Sequence, residues 1–138
     1  MEFDKDFLGK LFEQAVTNPR LRQNFDLRTS PADTSQRMLN ALLPGTKVPI
    51  HRHEDSTETV ICLVGKLEEI IYEEVNEYIY EATSCCGDVT RQRKIKEISR
   101  QILSPAEGKF GIQIPAGAWH TINVIEPSVI FEAKDGAY

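Results

Sequence analysis

The chain has 138 residues, 41% of them hydrophobic and 27% charged, with a formal net charge of −5. That is the length and make-up of one globular domain able to bury its own core. The acidic balance argues against a nucleic-acid surface, and no apolar run approaches the roughly 18 residues of a membrane span. The three cysteines, two of them adjacent (Cys85, Cys86), make no disulfide framework.

These features predict a soluble protein of a reducing cytoplasm. The opening MEFDKDFLGK is acidic and amphipathic, without the basic start and apolar run of a secretory signal. Phe3, Phe7, Leu8, Leu11, Phe12, Ala15 and Val16 recur at helical spacing, and the Asn18–Pro19 pair ends the stripe, so one helix is expected over 3–17. The polar, turn-rich stretch 18–35 reads as an irregular, partly extended connection. Residues 1–35 are thus an N-terminal helix and connection, and 36–138 form the main body.

From residue 36 the pattern changes to short apolar runs broken by turn formers. Strands are expected at 36–43, 47–53, 58–64, 67–73, 78–83, 95–103, 110–114, 119–125 and 128–134. One helix followed by eight or nine short strands predicts an all-β sandwich or barrel. Within 66–104 the first half, KLEEIIYEEVNEYIYE, is acidic and the second, TRQRKIKEISR, basic. The basic run is either a phosphate or RNA patch or, as preferred here, the cross-strand partner of the acidic run.

Two of the three histidines stand together in GTKVPIHRHEDSTETVICLVG. His51 and His53 are two residues apart, so on a strand both face one side, with Cα atoms roughly 6–7 Å apart. The turn-forming EDST lets Glu58 open the next strand facing the same place. Two imidazoles and a carboxylate supply most of a metal's inner shell. His120 follows the turn at Pro115 and Gly117, which makes all three histidines candidates for one site.

The spacing Gly45, His51-x-His53, Glu58, Gly65 matches the first motif of the cupins, G-x5-HxH-x3,4-E-x6-G. The second motif is kept at Pro115, Gly117 and His120, but Gly108 lies one residue too far away and Asn123 comes one residue early. NPRLRQNFD, QRMLNALLPG, GIQIPAGAWHTI and the ending FEAKDGAY resemble the WbuC-type cupin-fold metalloproteins. That resemblance implies a small double-stranded β-helix, a cupin or jelly-roll barrel, with a metal on His51, His53, Glu58 and His120. It also implies a homodimer, since cupin barrels commonly pair, and a place in O-antigen-type surface-polysaccharide biosynthesis.

The donor set suits one divalent transition metal per chain, Zn, Fe, Mn, Ni or Co. Glu58 is either a permanent ligand or a displaceable one that turns general base. Cys62, four residues on, is a soft group near the metal or a small core residue. Substrate contacts are sought at Arg37, Asn40, Glu132 and Lys134, which stand in strand-like runs, and at Arg20, Arg28 and Tyr138. For each, solvent exposure is the competing reading. Trp119, beside His120, is expected to pack between sheets rather than stack on a sugar. Two functions stay open. One is a metal-dependent enzyme of the isomerase, epimerase or oxygenase kind, acting on a small sugar-derived or carboxylated substrate. The other is a metal-containing module that binds such a molecule without turnover.

Overall fold

The computed structural model describes residues 1–81 and 87–136. The chain opens with α1 (Lys5–Thr17), capped by Asp4, whose carboxylate accepts the Phe7 N–H at 2.9 Å. An Asp4→Ala variant should lose about 1 kcal/mol, readable as a lower urea midpoint at unchanged slope. The helix starts two residues later than the apolar stripe suggested, because the Asp4 cap fixes its first turn. None of the described helices is long and apolar enough to cross a membrane.

Six strands follow: β1 (Arg22–Asp26), β2 (Ser35–Leu42), β3 (Glu58–Glu81), β4 (Asp88–Leu103), β5 (Gly111–Ile114) and β6 (Trp119–Asp135). All pair antiparallel in the order β1-β2-β6-β3-β4, with β5 on β3. The expected all-β barrel with one N-terminal helix is the fold observed, but with fewer and longer strands. The runs at 58–64 and 67–73 and the described part of that at 78–83, as far as Glu81, are one strand, β3, and those at 119–125 and 128–134 are β6. The strands bend where breaks were expected: the β3–β6 register shifts three times between Cys62 and Leu67, around Gly65 and opposite Pro127. Residues 47–53 form no strand. They run as a single segment tied to β6 by one bridge, His51 to His120. The connection 18–35 contains β1, which joins the sheet beside β2.

Alternation sorts the residues of β2 and β6 between two cores. Leu42, Val60, Cys62, Leu67, Leu103, Ile114, Val124 and Ile130, from five strands, fill the barrel. Leu39, Ala41 and Val129, on the opposite faces of β2 and β6, pack under Leu11 and Ala15 of α1. A two-residue period therefore points Gln36, Met38 and Asn40 of β2, and Ile130, Glu132 and Lys134 of β6, into the barrel. Cys62 is a core residue, its thiol pushed up to about 11 by burial.

Beyond Tyr72, which pairs with Trp119, β3 has only β4 as a neighbour. The two strands continue as a ribbon on which acidic and basic runs face each other. Glu73 lies opposite Lys96, Lys94 pairs with Glu77, and Arg91 donates to Asn76 at 3.0 Å. The basic run is thus the cross-strand partner of the acidic one. Tyr78 and Tyr80 on one ribbon face are two-thirds exposed. Cys85 and Cys86 lie outside the described residues.

Candidate metal centre

Three pieces of chain deliver the four predicted side chains to one point. The segment before β3 is pinned by paired backbone hydrogen bonds between His51 and His120, 3.0 and 2.8 Å, and by Gly117 N–H donating to His53 O at 2.8 Å. Thr121 Oγ1 donates to Val48 O at 2.5 Å. These ties present His51 and His53 without a ladder, Glu58 opens β3, and His120 stands near the start of β6. One ligand atom from each residue falls within 4.8 Å of every other.

The tautomers suit the purpose. His51 Nδ1 lies 2.8 Å from Pro49 O and His120 Nδ1 2.9 Å from Ala118 O, so each Nδ1–H donates to a carbonyl and each Nε2 presents a lone pair. His120 Nε2 is buried without a hydrogen-bond partner, 3.6 Å from Glu58 Oε2. A buried lone pair with nothing to accept is what a cation would satisfy. His53 differs. Lys134 Nζ lies 2.9 Å from its Nδ1, and its Nε2 is 2.8 Å from Glu58 Oε2. With the ammonium donating to Nδ1, Nε2 carries the proton, which an ion binding there would release. The donor set, three imidazoles and a carboxylate, fits a divalent transition metal.

Charge is tightly balanced. Burial lowers the pKa of His51, and burial together with Lys134 lowers that of His53, so both are neutral ligands. Burial alone would raise Glu58, but His120, His53 and Lys134 outweigh it and hold the carboxylate ionised. Burial likewise works against a charged His120, and the Glu58 carboxylate raises its pKa in spite of that. Glu132, on the same cavities as Glu58, is pushed up to about 7 by burial and by the Glu58 charge.

Two cavities share His51, Glu58 and Glu132. One, of about 130 Å³, is lined further by Gln36, Met38, His53 and Lys134. The other, of about 180 Å³, is lined by Arg22, Asn40, Val48, Glu69, His120 and Ile122. Of the expected substrate residues, Glu132, Lys134 and Asn40 therefore face the site. Arg37 does not line these cavities. It stands three positions from Asn40 and so takes the opposite face, where it donates to Ser35 O, Leu27 O and Asp33. Arg28 is bound to Asp26 at 2.9 Å. Arg20 lies in an outer recess with Arg22 and Asn40, and Tyr138 falls outside the described residues. Gln36 and Met38 were missed, although they alternate with Asn40. Glu69 was missed because the bulges beside Gly65 reset the inward phase of β3. Asn123 donates to Glu68 at 2.9 Å on the outside of the barrel, which leaves it no part in the cluster. Trp119 does not pack between sheets: its indole donates to Glu74 at 3.0 Å and the Arg52 guanidinium lies 4.7 Å from its ring centre.

The sequence model of a family described as "Domain of unknown function (DUF6016)" matches residues 3–83. The chain belongs to that family. No curated protein matches this DUF6016 chain. Solved structures do. KdgF from Halomonas sp. is 15% identical, with 88% of the DUF6016 chain and 85% of KdgF covered and a TM-score of 0.56. E. coli ycfD is 16% identical at a TM-score of 0.53, with 96% of the DUF6016 chain covered but only 31% of ycfD. An oxalate oxidase in complex with the substrate analogue glycolate is 13% identical at a TM-score of 0.53, with 87% and 53% covered. The DUF6016 chain thus spans about a third of ycfD and about half of the oxidase. At such identities the likeness is one of fold, and the fold is the cupin barrel.

Proposed function

We propose that the protein is a metal-dependent enzyme that isomerises or epimerises a small sugar-derived or carboxylated substrate. The observation that carries this reading is the convergence of His51, His53, Glu58 and His120 on cavities whose remaining walls hold Glu132 and Lys134. A divalent ion on those four side chains would supply Lewis-acid polarisation of a carbonyl or hydroxyl oxygen. The chain's own groups do the rest. Glu132, facing the cavity beside Glu58, is placed to take a proton from a carbon next to that oxygen and return it to the neighbouring carbon, or to the other face once the planar intermediate has turned over. Lys134 Nζ, on the same cavity, offers a cation to the oxygen that gains negative charge as the proton leaves. The buried floor of Val60, Cys62 and Ile130 keeps bulk water from below. The glycolate-bound oxalate oxidase neighbour supports a small carboxylate as ligand. The WbuC-type segments around both histidine motifs support a role in O-antigen-type polysaccharide assembly in the cytoplasm.

The test is proton NMR in deuterium oxide on metal-loaded protein given a panel of sugars and sugar acids. Loss of one C–H signal, abolished in Glu132→Gln, is expected. Saturable binding without exchange or product for any compound would replace the enzyme with a binding module.

The reading includes a homodimer, for which the ribbon offers a surface. Tyr78, Tyr80 and Val89 are exposed together, and the acidic β3 portion of one copy complements the basic β4 portion of another. A Tyr78→Ser, Tyr80→Ser variant should sediment as a monomer with its metal content unchanged. A variant that remains dimeric would remove the ribbon from the interface.

A further inference from the structure

The inner cavity holds two polar atoms that the cluster does not use. Asn40 Oδ1 and Glu69 Oε2 are buried and have no hydrogen-bond partner among the described residues. Glu69 is only 2% exposed and projects from β3 into the cavity, where β3 residue Ile71 pairs with His120. Asn40 reaches the same space from β2. Native chains seldom leave two such atoms on one wall without a bound group to satisfy them. An amide oxygen only accepts, whereas a carboxyl donates or accepts according to its protonation. A hydroxyl group meets both demands. The carboxyl of Glu69 is held well above the usual range by burial and by the Glu58 and Glu132 charges, which adds a donor to the wall.

The cavity also adjoins an outer recess. Arg22 and Asn40 line both it and that recess, which has about 370 Å³ and is shared with Asn18, Arg20, Gln23 and Asn24. Among the described residues no acidic side chain lines that recess, in a chain whose net charge is −5. Arg22 is held by Nη1 donating to Lys47 O at 2.8 Å, and among the described residues neither Arg20 nor Arg22 has an ion-pair partner. At about 180 Å³ the inner space has room for a chain or ring of roughly six heavy atoms, since a cavity of about 150 Å³ admits benzene.

We propose that this Arg22–Asn40–Glu69 chamber is the substrate-recognition site, taking a polyhydroxylated small molecule with one anionic group. The hydroxyls sit between Asn40 and Glu69, next to the metal cluster, and the anion lies outward on Arg22 and Arg20. The proposal rests on the cluster being the reactive centre, and it names the substrate class as a hydroxy acid or an acidic or phosphorylated sugar. Substrate then arrives from the β1–β2 side, and the Lys134 side remains for the group that changes.

The test is calorimetric titration of the full metal-loaded chain with D-gluconate, D-glucose 6-phosphate and D-glucose, with metal content measured on each sample. Gluconate or the phosphate ester should bind at least tenfold more tightly than glucose, and whichever of the two binds tighter identifies the anion. Arg22→Met should erase that tenfold preference while metal content stays the same. Glu69→Leu should weaken all sugar binding about tenfold, and Glu69→Gln, which keeps a polar group, should restore most of it. Full metal content without Arg22-dependent binding of either anion overturns the chamber and leaves the metal reading standing. A wild-type chain that takes up no metal overturns the metal reading instead, whether or not the anions bind.

Discussion

A His51→Ala, His53→Ala double variant is expected to fall from about one mole of transition metal per chain to background. Structural sites of four protein ligands carry about 10–16 kcal/mol of apparent binding free energy. Shared evenly, that is about 3 kcal/mol per ligand, so two lost imidazoles should cost on the order of 10⁴-fold in affinity. The remaining pair, Glu58 and His120, lies 3.6 Å apart and cannot by itself encircle an ion. Elemental analysis of protein from its own host, followed by chelator competition, reads both numbers. Metal binding should also lift the melting temperature of the wild type and leave that of the variant unmoved. Equal metal content in the two proteins would place the ion elsewhere.

The second large effect lies away from the cluster. Gly65 has φ of +95°, and a Cβ there would sit 2.2 Å from Pro127 O and 2.7 Å from Ser128 Cα, both backbone atoms. Ser128 is fully buried and locked in turn, its hydroxyl accepting Lys66 N–H at 3.0 Å and donating to Glu126 O at 2.7 Å. The corner therefore cannot yield. Gly65→Ala should lose about 3 kcal/mol or more, combining the left-handed backbone cost with the overlap. For a chain of this length that is a fall of about 10 °C in melting temperature. Gly9→Ala is the matched control: nothing lies within 4 Å of the added carbon in α1, and a gain of up to about 1 kcal/mol is expected. Equal effects at the two positions would mean that β3 does not bend at Gly65.

The same corner explains what could and could not be seen in the sequence. The four cluster residues were legible because their constraint is local: two-residue alternation along one short segment brings His51 and His53 together even without a ladder, and turns set Glu58 and His120. Glycine spacing carried the fold for a similar reason, since Gly45 and Gly65 both occupy positive φ that other residues resist. Long strands were not legible, because a bulge looks like a strand break until the partner strand is known. Glu69 was hidden by that phase shift and Arg22 by a short strand inside a polar stretch. Arg37 could have been excluded by parity with Asn40, and Asn123 by parity with His120.

Among the described residues, the ribbon and the cluster also divide the intrinsic chromophores. Tyr72, Tyr78 and Tyr80 all lie on β3, two of them on the exposed ribbon, whereas the single tryptophan adjoins His120 at the barrel mouth. Tyr78 and Tyr80 will therefore follow opening of the outer ribbon, and Trp119, bonded to Glu74 at the ribbon's base, will follow the junction of ribbon and cluster. A two-stranded extension with few buried groups opens at lower free energy than a packed barrel. On a denaturant titration the tyrosine signal will move first, and Trp119 will move only when the opening reaches the ribbon's base, so one fluorescence experiment on unlabelled protein follows the arm's loss toward the site.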